Sequence, residues 1–149
     1  MSLKTEVMQQ LKAAMKSKDK LALDSLRAIK SELLLLETSG GDGEVTEDQE
    51  LKILQKMVKQ RKDSAATFIE QGREDLAEPE IAQAKIISKF LPKQMNEDEV
   101  KEIIQKIVSQ TGANSMADMG KVMGMASKEL AGKSDGKTIS DIVRSLLVG

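Results

Sequence analysis

The chain has 149 residues and a formal net charge of −1, from 23 basic and 24 acidic side chains, with neither cysteine nor histidine nor tyrosine. That length holds one ordinary core or two small ones, and near-neutrality excludes a global field drawing the molecule to nucleic acid or anionic lipid, so any nucleic-acid binding must be local. The missing residue types exclude Ser-His-Asp and Cys-His catalysis, tyrosine acids, disulfides and histidine-ligated metal.

Phe68 and Phe90 are the only aromatics, and good helix formers abound, so an all-α protein is expected. The N-terminus carries no secretory apolar region, and the apolar run Leu33 to Leu36 is far too short to span a bilayer. A cytoplasmic protein is the default expectation.

Ser2 can cap a first helix in which Leu3, Val7, Met8, Leu11 and Met15 recur at helical spacing, and the charged stretch 16–20 ends it. A second helix runs from about Leu21 to Glu37 on a stripe of Ala22, Leu26, Ile29, Leu33 and Leu36. The segment 38–44, with three glycines, is a loop. Thr46 and Gln49 form a capping box for a third helix that extends to Gln71, roughly 39 Å at 1.5 Å per residue. Leu51, Leu54, Val58, Ala65, Phe68 and Ile69 lie on one side of it, and Lys52, Lys56 and Lys59 on the other. A fourth helix includes Ile81 to Phe90 and ends before Pro92, while Pro79 leaves its start open.

The strongest boundary signal is Leu91-Pro-Lys-Gln94, which divides the chain into an N-terminal helical domain, 1–92, and a C-terminal three-helix domain, 93–149. Asn96 and Glu99 cap a fifth helix with Ile103, Ile104, Ile107 and Val108 inward, closed by Gly112. Ser115 and Asp118 open a sixth, with Met116, Met119, Val122, Met123, Ala126 and Leu130 facing the core. Core packing accounts for these methionines better than a peptide groove does. Asp135 caps a seventh helix, which buries Ile139, Ile142, Val143, Leu146 and Leu147.

Chemistry-bearing patterns are few. The segment Gly132-Lys-Ser-Asp-Gly-Lys-Thr138 places three residues, not the four a phosphate loop needs, before its Gly-Lys-Thr, so a nucleotide site is rejected. Lys133 and Lys137 nevertheless flank a helix N-terminus, where N–H groups and the dipole favour an anion. The ordinary reading, with Asp135 supplying that negative charge as a cap, is preferred. On helix six, Gly120, Gly124, Ser127 and Ala131 fall at spacings of four, three and four, a small-residue face beside Lys121 and Lys128. Two interior glycines cost roughly 1 kcal/mol each against alanine. Close packing on a neighbouring helix is therefore the preferred account, ahead of a surface that accepts a nucleic-acid backbone.

Residues 52–62 carry five basic and no acidic side chains, and residues 37–50 carry six acidic and none basic. Both read as solvated faces, and the acidic stretch lacks calcium-loop spacing, so no metal and no cofactor is assigned. Arg61 falls within the apolar side of its helix and is expected to pair with a carboxylate from another helix.

Five short motifs together carry a family resemblance: Leu26-Arg27, Lys59-Gln-Arg-Lys-Asp-Ser64, Gly72-Arg-Glu-Asp-Leu76, Phe90-Leu-Pro-Lys-Gln94 and Ala117-Asp-Met-Gly-Lys-Val-Met-Gly124. The chain resembles the YqeY family and, through Gly124 to Leu147, the C-terminal tail of GatB, a subunit of the aminoacyl-tRNA amidotransferase. The resemblance implies a helical N-terminal domain followed by a three-helix domain. In GatB the tail contacts the tRNA body while other domains perform amidation. Carried over, that role makes Lys128, Lys133 and Lys137 phosphate contacts, with Gly124 and Gly132 allowing close approach. A carbon–nitrogen ligase label then describes the relatives better than this chain, which lacks the amidase partner's serine-rich signature and assigns no catalytic residue. The resulting expectation is a non-catalytic tRNA-binding accessory protein. The alternative is a helical adaptor whose long third helix docks an amidotransferase or ribosomal partner.

Overall fold

The computed structural model describes residues 2–39 and 44–148. It is all-helical, with no strand among the described residues. In chain order the helices are α1 (Leu3–Ser17), α2 (Lys20–Ser39), α3 (Glu47–Glu70), α4 (Glu74–Ser88), α5 (Glu97–Thr111), α6 (Met119–Glu129) and α7 (Gly136–Val148), with a 3₁₀ turn at Met116–Asp118 before α6. Two compact units result, Met1–Leu91 and Pro92–Gly149.

Local signals place the helix ends. The capping box at Thr46 is reciprocal: Gln49 N–H donates to Thr46 Oγ1 at 3.1 Å, and Thr46 N–H donates to Gln49 Oε1 at 2.9 Å. Asn96 Oδ1 accepts from Glu99 N–H at 2.9 Å, and Asp135 Oδ1 from Thr138 N–H at 2.7 Å. Between α1 and α2, Lys18 adopts a left-handed conformation (φ 57°), and Asp19 Oδ1 caps the next helix through Ala22 N–H. The expected loop at 38–44 begins later than the sequence suggests, since Thr38 and Ser39 still belong to α2, and residues 40–43 lie outside the described residues.

In the first unit α1 packs on α2, α2 on α3 and α4, and α3 on α4. Its core comprises Val7, Leu11, Ala14, Leu26, Ile29, Leu33, Leu54, Met57, Val58, Ala84 and Ile87. Met15, expected inward, is exposed, and Ala14 closes that turn of the core instead. Two of the basic residues on the outer side of α3 form ordinary i,i+4 pairs, Lys52 with Asp48 and Lys59 with Asp63. Such pairs belong to a solvated helix face.

Helix α4 starts earlier than Ile81 and takes Pro79 into its interior. Proline removes one donor, here the one that would serve the Asp75 carbonyl, and Asp75 is exposed so that water can serve it. The N-terminus is held by other means. Arg73 donates from Nε and Nη2 to the two carboxylate oxygens of Asp75, at 3.1 and 3.0 Å, and the Arg73 carbonyl accepts from both Leu76 and Ala77 N–H. The guanidinium holds the Asp75 carboxyl below the usual carboxylate range. Because the folded-state value is depressed, this contribution is complete above the ordinary range and is lost as pH falls through the lowered value.

The carboxylate partner expected for Arg61 is corrected. Its Nε donates to Gln83 Oε1 on α4 at 3.0 Å and its Nη1 to the Met57 carbonyl at 3.2 Å. Arg61 is only half-buried, so water still solvates the rest of the fork and a neutral amide suffices.

In the second unit α5, α6 and α7 each pack on the other two. Val100, Ile104, Ile107, Val122, Ala126, Leu130, Ile139, Val143 and Leu147 fill the core, with Met119, Met123, Ile142 and Leu146 packed at its margin. Met116 departs from expectation and is 43% exposed. It sits in the 3₁₀ turn rather than in α6, so the helical period that points Met119 and Met123 inward does not extend to it.

Candidate nucleic-acid interface

Helix α6 turns Val122, Ala126 and Leu130 to the core. Wound at about 100° per residue, its opposite arc presents in order Ser127, Gly120, Gly124, Lys128 and Lys121, and Ala131 follows in the turn beyond the helix end. All of these except Ala131 are exposed. The expectation that a neighbouring helix packs on this face is overturned, because a Cβ added at Gly120 or Gly124 would meet nothing within 4 Å. The two packing partners, α5 and α7, lie on the apolar arc. What remains is an open, shallow strip of backbone bordered by two lysines, neither of which forms an ion pair among the described residues.

A stability measurement separates openness from packing. Gly124→Ala is expected to stabilise the second unit by roughly 1 kcal/mol, since alanine restricts the unfolded chain and displaces nothing. A lowered melting temperature for that variant would show that the face is packed after all.

The remaining expected residues occupy the connection from α6 to α7. Gly132 is buried and left-handed (φ 75°), so its glycine identity answers to the helix C-terminus rather than to an approaching ligand. Lys133 is half-buried and Lys137 is exposed in the first turn of α7. Asp135 does act as the ordinary cap. Lys128, Lys133 and Lys137 thus follow one another across a single helical corner, whereas Lys121 and Gly124 lie farther up the open side of α6.

Sequence reasoning missed the residue that holds this corner. Gln94 Nε2 donates to the Gly132 carbonyl at 2.6 Å and to the Pro92 carbonyl at 2.9 Å, while Met95 N–H donates to the Lys133 carbonyl at 2.9 Å. The stretch read only as a boundary therefore clamps the loop that carries Lys133. Its membership in the Phe90-Leu-Pro-Lys-Gln94 motif was the available signal, but nothing local reveals a hydrogen bond to a carbonyl 38 residues away.

The described residues contain no group of three or more acidic side chains placed to hold a metal ion, and no buried side-chain polar atom without a hydrogen-bond partner. No helix among them is long and apolar enough to cross a membrane.

The sequence model of the family described as Yqey-like protein matches residues 4–147. The chain belongs to the YqeY family. Among the curated relatives of this YqeY chain is a Clavispora lusitaniae protein named "Altered inheritance of mitochondria protein 41, mitochondrial", 38% identical over 106 residues, or 70% of this chain and 61% of the relative. The chain therefore spans about three fifths of that relative's length. A protein of the same name from Pyrenophora tritici-repentis is 30% identical over 144 residues, covering 92% of this chain and 76% of the relative. A glutamyl-tRNA(Gln) amidotransferase subunit of Thermococcus gammatolerans is 35% identical over 81 residues, 52% of this chain but 13% of that protein. This last match supports the relation between YqeY proteins and amidotransferase subunits.

The expected cytoplasmic location does not stand. Four relatives carry names that place them in mitochondria, and a default drawn from missing signals does not outweigh them.

Proposed function

We propose that the chain is a non-catalytic tRNA-binding accessory protein, whose second unit contacts the phosphate backbone through α6 and the α6–α7 corner. The observation that carries this reading is the open glycine face of α6 beside Lys121 and Lys128, which no carboxylate engages among the described residues. A helix that spends two glycines on a solvent-facing arc loses helix stability without a packing return. A backbone-depth strip edged by ammonium groups suits a polyanion that must come close, and Lys133 and Lys137 extend the positive charge to the next helix start. The kinship with an amidotransferase subunit named for glutamyl-tRNA(Gln) supports the choice of tRNA as the nucleic acid in this reading.

With so few cations, affinity is expected to be modest, and log K should fall against log salt with a slope of roughly −0.9 for each phosphate neutralised on a duplex. Filter binding of the full chain to tRNA at several salt concentrations tests this. Affinity no better than that of an acidic control protein sinks the reading.

A further inference from the structure

The first unit carries a surface that tRNA binding leaves unused. At the turn joining α3 to α4, Ile69 is 52% exposed and Ile81 is 40% exposed, although the periodicity of α3 assigns Ile69 to the apolar side. Between them lies Ala77, buried and too small to fill the space between two branched side chains. The result is a notch of about 200 Å³ lined by Ile69, Glu74, Ala77, Glu78 and Ile81.

The charged residues that line it are both acidic. Glu74 and Glu78 border the notch, Glu70 lies next to Ile69 in the chain, and none of the three has a cationic partner among the described residues. The nearby Arg73 is occupied by Asp75. An apolar floor bordered by two unpaired carboxylates disfavours anions, so neither tRNA nor an anionic lipid surface fits it. It is complementary to a basic amphipathic helix that inserts one apolar side chain between the isoleucines and sets lysine or arginine against the rim.

We infer that the α3–α4 end of the first unit is a docking site for a basic amphipathic helix of a partner protein. Both anchors are needed, because exposed ion pairs alone contribute little and a single apolar side chain gives no orientation. The surface is also independent of the lysine face of α6, which lies in the other unit.

The test uses the full chain and a short amphipathic helical peptide of leucine and lysine as probe, with methyl NMR on the isoleucines. Addition of the peptide is expected to shift Ile69 and Ile81 and to leave Ile104, Ile107 and Ile139 of the second unit unmoved. Glu74→Lys with Glu78→Lys should weaken peptide binding about tenfold, whereas Glu102→Lys with Glu129→Lys, the same change of charge on the second unit, should leave it intact. Glu74 occupies the first turn of α4, where a carboxylate favours the helix dipole. Glu78→Lys alone, beyond that turn, therefore gives a second reading if the double variant melts early. Equal weakening by both double variants, or shifts spread over both units, overturns the inference. So does self-association of the chain abolished by Glu78→Lys, since the occupant would then be a second copy.

Discussion

Reversing Lys121 and Lys128 to glutamate should cut tRNA affinity about tenfold or more and lower the magnitude of the salt slope by about two. Both side chains stand on the exposed arc of α6 and neither is engaged by a carboxylate among the described residues, so the substitution changes surface charge without breaking an internal contact. Lys52→Glu with Lys59→Glu provides the control, because those lysines already face Asp48 and Asp63 on α3. A loss of equal size in the control would mean that net charge, rather than the α6 face, governs binding. Lys133→Glu with Lys137→Glu should weaken binding by less. Asp135 already caps that helix start, and Lys133 is half-buried.

Ile104→Ala is expected to cost the second unit roughly 2–5 kcal/mol. Ile104 is fully buried and belongs to a core of nine buried residues drawn from three short helices and the turn that follows α6. A unit of this size seldom holds more than about 3–5 kcal/mol in reserve, so the substitution should leave it largely unfolded at room temperature. The first unit buries a separate set of residues and should keep its own transition. Urea titration followed by isoleucine methyl signals distinguishes the two. If Ile29 and Ile87 lose dispersion together with Ile107 and Ile139, the units unfold as one.

These two experiments bear on different links of the same chain of cause. Removing charge from α6 leaves the fold and tests the surface. Removing bulk from the core tests whether that surface has a frame to stand on. Gln94 joins the two, since its bond to the Gly132 carbonyl ties the segment entering the second unit to the loop that bears Lys133.

Much of this architecture is legible in the residues alone, because its determinants act within one helical turn. Thr46 finds Gln49, Asn96 finds the Glu99 amide and Asp135 finds the Thr138 amide, each three residues away. The period of Val100, Ile104 and Ile107, or of Ile139, Val143 and Leu147, defines a buried arc wherever the neighbouring helix comes from. What the tertiary structure decided were questions whose answers lie across helices. Arg61 meets Gln83 rather than an acid because of which α4 residue stands opposite it. Ile69 stays exposed because the buried α4 residue facing it, Ala77, is too small to cover it.

The small-residue face of α6 shows the division most plainly. Spacing alone establishes that Gly120, Gly124 and Ser127 share a side, and that such a side invites close approach. Whether a helix or solvent occupies it depends on where α5 and α7 sit. Both pack on the Val122, Ala126 and Leu130 arc, so the glycines are left open beside their lysines.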